Sequence, residues 1–600
     1  MTEKKLKIGI IMSGAVSLGS FEAGVITELF WAIDQKNKEI RDGKEVILKD
    51  NVIEFKVNKF EVDVITGASA GSLTAALAAS IVMNDYTKIN NLRKAWVDDA
   101  DIAKLLEDSN QKDCEPKGFL NRKSIEEIAD SNIVKNYEEC NVASFAPDNL
   151  YIGFTLTNLN GFDRVLKLHN DRTYYTYFDD SKLFKISKKN EVKNIHTDDS
   201  DSSSCWDDVK DFAIASGCFP FAFSPKSLSK SQAEYDITTD KEKTGKIDSD
   251  YISHPSLFID GGTFNNQPVG LAIALANKID KKDKQEYKRI FFFINAHPNS
   301  HKNSLFIPDA VLKNKNLKTL DGTLVRLLNM IHAQSRASDY LNSSVINDRI
   351  IQKSKFYPQI TEIVNFIDLS SEHTQALNVR LNKIAKDIFN GALATAPIRT
   401  FEKASGLTEI LENIKEDYKK CFDVLHYNAH RENILALIFY IIDNISDLED
   451  RTKADIFSLS KDEEKLAGEQ IGWFGGFFDK QFRNYNFMKG REVTREKLKS
   501  LEDYFNDYMK EPLDEEDAII LGKETELCSI QIDSGDYVKT LDLFYGRIAD
   551  EIFKSTNKLP CSSRSYIHFG LRCYALRYTF TPSKRNGLIH LLNKWLNPKN

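Results

Sequence analysis

Gly67-Ala68-Ser69-Ala70-Gly71 constrains this chain more than any other stretch. Before it, residues 60–66 form a short, β-branched run that reads as a buried strand. After it, residues 72–83 are rich in alanine and read as a helix. A G-x-S-x-G pentapeptide gains meaning in that setting, because a sharp strand-to-helix turn exposes the central hydroxyl. Small flanking residues let strand and helix approach closely, and the helix N-terminus favours developing negative charge. Ser69 is therefore the candidate nucleophile, with Gly67 and Gly71 supporting its turn. A tight turn with a solvated serine is the competing explanation. A base and an oxyanion site elsewhere in the chain would decide between the two.

An earlier strand-to-helix turn offers the oxyanion site. Residues 8–12 are an apolar strand, and residues 21–30 a helix with Phe21, Val25 and Leu29 on one stripe. The loop between them lacks the G-x-G-x-x-G of dinucleotide binding. Gly14 and Gly19 have the spacing of a phosphate-binding loop, but Ser20 stands where the lysine belongs. What remains is an oxyanion loop, in which the backbone N–H groups of Gly14, Ala15 and Val16 hold a charged oxygen, or a plain turn. Residues 31–58 are polar and read as an excursion. Helical patterns follow at 86–106 and 124–137, then a strand at 150–157. Residues 256–259 form another strand, ending in Asp260-Gly261-Gly262. This reads as a carboxylate held at a strand end by flexible backbone, or as a simple turn. Residues 289–295 are a further apolar strand. Strands alternating with helices predict an α/β fold with a largely parallel sheet, whose ligands gather at the carboxyl ends of its strands. Gly14, Ser69 and Asp260 all fall at such ends.

The pattern changes after residue 310, which predicts a catalytic domain at 1–310 and a mostly helical extension at 311–600. Helices are expected around 324–341, 377–384 and 433–442, the last too short to span a bilayer. The aromatic cluster at 472–478 reads as core packing rather than lipid contact. Residues 186–209 and 226–254 read as polar surface segments, and the first lacks the EF-hand pattern for Ca²⁺. Residues 561–600 carry no acidic side chain, and an apolar stripe there, including Leu588, Leu592 and Trp595, reads as a docked terminal helix. A helix lying in a membrane interface is the sharper alternative. The net charge of −7 excludes a general attraction to nucleic acid or anionic lipid. The eight cysteines show neither C-x-x-C nor Cys/His metal spacing, so reduced thiols and no metal are expected. The N-terminus runs straight into a strand without a signal-peptide pattern, which predicts a cytoplasmic protein.

The Ser69 hydroxyl is barely ionised at neutral pH and needs a base. That base is either a histidine oriented by a carboxylate, for which Ser69, Asp260 and His297 stand in a workable order, or a carboxylate acting directly. Four segments, taken together and in order, resemble the patatin-like phospholipase family. Residues 13–19 stand at the place of its glycine-rich oxyanion loop, and residues 67–71 match its nucleophile motif. Residues 215–220 are similar to its small-residue and proline segment, and Asp260-Gly261-Gly262 with Asn266 and Pro268 to its aspartate motif. The resemblance implies a three-layer α/β fold with a mainly parallel central sheet. It implies a Ser69–Asp260 dyad that works without histidine, metal or cofactor. The implied substrates are phospholipids or related acyl esters, met by transient contact with a membrane surface such as the inner membrane. One departure concerns the loop, usually G-G-G-x-[RK]-G, where Ala15 and Val16 replace glycines and Leu18 replaces the basic residue. The backbone donors remain, since any non-proline residue has an N–H, but the added side chains narrow the site. The variant loop and long extension are similar to a bacterial subgroup with Val-Ser-Leu at this place.

Overall fold

The computed structural model describes most of residues 4–296, the segments 355–366, 372–395, 407–425 and 429–445, and residues 454–505 apart from 461–465 and 469–473. Strand β1 (Lys5–Met12) is buried along nearly its whole length, as a central strand covered on both faces must be. Helix α1 (Gly19–Arg41) follows, then β2 (Lys59–Gly67) and α2 (Ala70–Met83). The chain continues through β3 (Asn149–Leu168), β4 (Asp171–Ser187), α3 (Trp206–Ser216), β5 (Ser256–Asp260), α4 (Val269–Asp280) and β6 (Tyr287–Asn295). Two late elements, β7 (Asp455–Ser460) and α5 (Lys480–Ser500), return to the same body.

The strand order is β7-β6-β1-β2-β3-β4, and every pairing from β7 to β3 is parallel. Beyond β3 the sheet continues as the antiparallel β3–β4 hairpin. Alternate residues of β1 sort the layers. Ile8, Ile10 and Met12 share a core with α1, α2 and α3, while Ile11 shares a smaller one with Val269, Ala272 and Leu275 of α4. The fold is a three-layer α/β sandwich with a parallel central sheet.

Two expected helices differ in extent. The first runs on to Arg41 rather than ending near residue 30, because Ala32 and Ile33 extend its buried stripe into the polar-looking segment. The remainder of that segment is a hairpin, Val46–Asp50 with Ile53–Val57. The pattern at 86–106 is not one helix. It breaks into short turns, including a wide π-turn at Lys94–Asp99 and a new start at Ile102–Leu105, where the Asp101 carboxylate caps the Ala103 N–H.

The boundary expected at residue 310 does not separate the sheet from all that follows it. β7 pairs with β6, and α5 lies against α1. The helices touch backbone to backbone: a Cβ on Gly24 would meet Phe487 O at 1.9 Å, and one on Gly490 would meet Phe21 O at 2.2 Å. Next to this crossing, buried Glu28 of α1 accepts hydrogen bonds from Arg491 and Arg495 of α5 at 2.8–2.9 Å. The Val16–Arg41 stretch has the length and apolarity to cross a membrane, yet it forms this protein core. Elsewhere in the extension, helices Glu372–Thr395, Leu407–Asp417 and Ala429–Ile445 share their own core, in which Tyr357 stacks on Phe439. The helix expected at 324–341 and the stripe near Trp595 lie outside the described residues.

Candidate active site

Ser69 and Asp260 meet because two strands end head to head along one edge of β3. β2 runs parallel to β3 and finishes with Gly67 opposite Phe154. β5 arrives antiparallel and finishes with Asp260 opposite Leu156, while β4 occupies the other edge. Two residues of β3, roughly 7 Å at the usual strand rise, separate the ends. The chain then crosses over β3 at Gly261, where a Cβ would lie 2.1 Å from Thr155 O, so only glycine fits. Asp260 thus sits at a carboxyl end as expected, but of a strand running against its neighbour.

The turn at Ser69 is tight on every side. Ser69 has φ 53° and ψ −124°, a conformation that costs a side-chain-bearing residue on the order of 1–3 kcal/mol. Its N–H donates to Ser216 Oγ at 3.0 Å, and Ser216 Oγ also bonds Ser72 Oγ at 2.8 Å. The Ala68 N–H donates to Met12 O at 3.1 Å. Gly67 packs on Gly71, and a Cβ on Gly71 would meet Ser13 O at 2.7 Å. The strain therefore persists because strand, helix and neighbouring loop leave the turn no other path.

Ser69 Oγ donates to Asp260 Oδ2 at 2.6 Å, and both residues are buried. The second carboxylate oxygen accepts the Gly262 N–H at 2.7 Å. The Asp260 backbone is fixed by its own N–H to Cys218 O and by Thr157 Oγ1 donating to its carbonyl, both at 2.9 Å. Burial pushes the Asp260 pKa up, the Ser69 hydroxyl and Gly262 amide pull it part of the way back, and it settles at about 7. A carboxylate with that affinity for a proton can act as a general base near neutrality. His297 lies outside the described residues.

The loop at 14–16 comes to the same place, with one correction. The Gly14 N–H donates to Asn266 O at 3.0 Å, and Gly14 O accepts from Asn266 Nδ2 at 3.3 Å. Gly14 therefore anchors the loop to the aspartate segment, and its amide is not open to an oxyanion. Val16 has φ 49°, so a β-branched side chain occupies left-handed backbone where glycine is the easy choice. Ala15 is fully buried, whereas Val16, Ser69 and Ala70 line one cleft. The Val16 and Ala70 amides have no hydrogen-bond partner among the described residues. Ala70 was missed by the sequence argument, although the helix start immediately after Ser69 signals an open amide there.

The cleft is partly open, and its space together with the solvent at its mouth amounts to about 730 Å³. Its lining is hydrocarbon and aromatic apart from the Ser69 hydroxyl, with Leu73, Leu77, Trp96, Leu105, Ile128 and Phe223 among its walls. Phe477, from the aromatic cluster read as core packing, also faces into it. Among the described residues, no group of three or more His, Cys, Asp or Glu side chains is arranged to hold a metal.

The chain is 23% identical over 334 residues to an uncharacterized protein, y4iI, of Sinorhizobium fredii, a match covering 44% of either chain. It thus spans less than half the length of that relative. A family model described as patatin-like phospholipase matches residues 10–273, which contain β1, the Ser69 turn, β3 and Asp260. Residues 10–273 are thus similar to the patatin-like phospholipase family, and the parallel pair β2 and β3 and the serine–aspartate pair lie within the matched stretch.

Proposed function

We propose that this protein is a serine-dependent lipid acyl hydrolase, of phospholipase A type, using Ser69 and Asp260 alone. Asp260 accepts the hydroxyl proton as Ser69 Oγ attacks the ester carbonyl. The Val16 and Ala70 amides hold the oxyanion that forms, a role in which one donor is worth on the order of 3 kcal/mol. The protonated Asp260 gives its proton to the departing alcohol oxygen. In the second half, Asp260 takes a proton from water, which attacks the acyl-enzyme and releases the fatty acid with Ser69 restored. The acyl chain lies in the apolar cleft, and the substrate is met at a membrane surface, peripherally and from the cytoplasmic side.

The observation that carries this reading is the 2.6 Å hydrogen bond from Ser69 to a buried carboxyl group at an apolar cleft. A fluorophosphonate probe should label the wild type and leave Ser69→Ala unlabelled. Equal labelling of the variant would remove Ser69 as nucleophile. Incubation with mixed phospholipid vesicles should release fatty acid faster than an equal concentration of monomeric ester is cleaved. Equal rates on both would point to an esterase for soluble acyl substrates.

A further inference from the structure

Residues Phe474–Phe478 lie far from Ser69 in sequence and next to it in space. Phe477 shares the cleft with Val16, Ser69 and Trp96. Phe474 packs edge-on against Phe219, another cleft residue, at 5.6 Å. Between the two rings, the Gly476 N–H donates to Ser17 Oγ at 3.0 Å, and a Cβ on Gly476 would meet Ser17 O at 2.8 Å. The late turn is therefore pressed onto the residue that follows strained Val16.

Its position is fixed from behind by one buried side chain. Arg483, at the start of α5, donates through Nη1 to Phe477 O at 2.7 Å and through Nε to Val97 O at 2.9 Å. Its Nη2 donates to the Asp101 carboxylate at 3.1 Å. Val97 belongs to the π-turn that presents Trp96, and Asp101 caps the short helix that presents Leu105. One guanidinium thus ties together three segments of the cleft wall, and the Phe477 backbone is held at both Gly476 and its own carbonyl.

We propose that this turn is a wall of the acyl site, contributed by the C-terminal region, and that Phe477 sets the size of the acyl chain the cleft accepts. The inference rests on reading the cleft as an acyl site, but not on turnover at Ser69. A ring bordering open cleft space acts differently from one in a closed core: shortening it enlarges the site directly, and its pinned backbone keeps neighbours from filling the gap.

The test measures binding rather than hydrolysis. In a Ser69→Ala background, short-, medium- and long-chain fluorescent fatty acids are titrated onto the full chain. Phe477→Ala should raise affinity for long over short chains by about tenfold, which corresponds to about 1.4 kcal/mol. Phe477→Trp should move the ratio the other way, and Phe477→Leu should fall between Phe477→Ala and wild type. The leucine and tryptophan variants keep the ring site filled, so the test survives if Phe477→Ala does not fold. Unchanged chain-length ratios in the folded variants, or no fatty-acid binding at all, would overturn the proposal. A shifted ratio in a protein whose wild type cleaves no ester would sink the hydrolase reading and leave this one standing.

Discussion

The chain turns from strand to helix twice before α2, and both turns force a side-chain-bearing residue into left-handed backbone, Ser69 at φ 53° and Val16 at φ 49°. The two are held by different means. The Ser69 turn is boxed in by its own strand and helix, by β1 and by Ser216. The Val16 turn is tied through Gly14 to Asn266 and through Ser17 to Gly476, which lies in the last described segment of the chain. Similar strain is thus sustained by neighbours from residues 12–216 in one turn and partly from the C-terminal region in the other. A loop with a β-branched residue where glycine would be the easy choice can keep its shape if another part of the protein presses on it.

The largest expected effect tests the local turn. Asp260→Asn keeps the shape but removes the base, and turnover should fall by about 10²–10⁴-fold. In the wild type, only ionised Asp260 can accept the Ser69 proton. Activity should therefore rise with pH and level off above about 7, the value to which burial raises this carboxyl. A flat profile through that region, or an active Asp260→Asn, would break the dyad.

The next test reaches the remote support. Glu28→Ala leaves the buried guanidinium groups of Arg491 and Arg495 without their carboxylate. Removing one partner of a buried ion pair costs about 3–5 kcal/mol, to be read by denaturant unfolding. Below the unfolding transition, fluorophosphonate labelling should slow if α5 holds the Val16 turn through residues 474–478. Wild-type labelling in a folded but destabilised variant would show that the turn stands without α5.

The smallest change is the sharpest comparison. Ser17→Ala removes one oxygen and leaves the Gly476 N–H buried without its acceptor, at a cost of about 1–3 kcal/mol. If Ser17 positions the oxyanion turn, kcat should drop by about tenfold, roughly 1.4 kcal/mol of transition-state stabilisation, with KM little changed. Ser17→Thr, which keeps a hydroxyl, should restore much of it. A rise in KM alone would assign Ser17 to substrate binding rather than positioning.

Much of the site was legible before the structure. The parallel strands, the strand–turn–helix around Ser69, and the placing of Gly14, Ser69 and Asp260 at carboxyl ends all follow from apolar runs and small residues at fixed offsets. The direction of β5 was not legible, because a five-residue apolar strand pairs equally well either way until its neighbour is known. The fate of the Gly14 amide was hidden for a similar reason: its acceptor, Asn266 O, comes from a segment brought back by the fold. Of the aromatic cluster read as core packing, Phe474 and Phe477 are buried. That one of its rings would border the cleft depends on Arg483 and on the docking of α5.

The sequence by itself determined a serine on a sharp turn between a buried strand and an alanine-rich helix, and a carboxylate at a strand end. Local sterics and hydrophobic periodicity operate over a few residues and can be read along the chain. Only the tertiary structure decided that β2 and β5 end face to face on β3, which brings Ser69 within 2.6 Å of Asp260. It also decided that a turn from the C-terminal region presses on Ser17, next to Val16. Those outcomes depend on pairings between distant segments, whose partners no local pattern specifies.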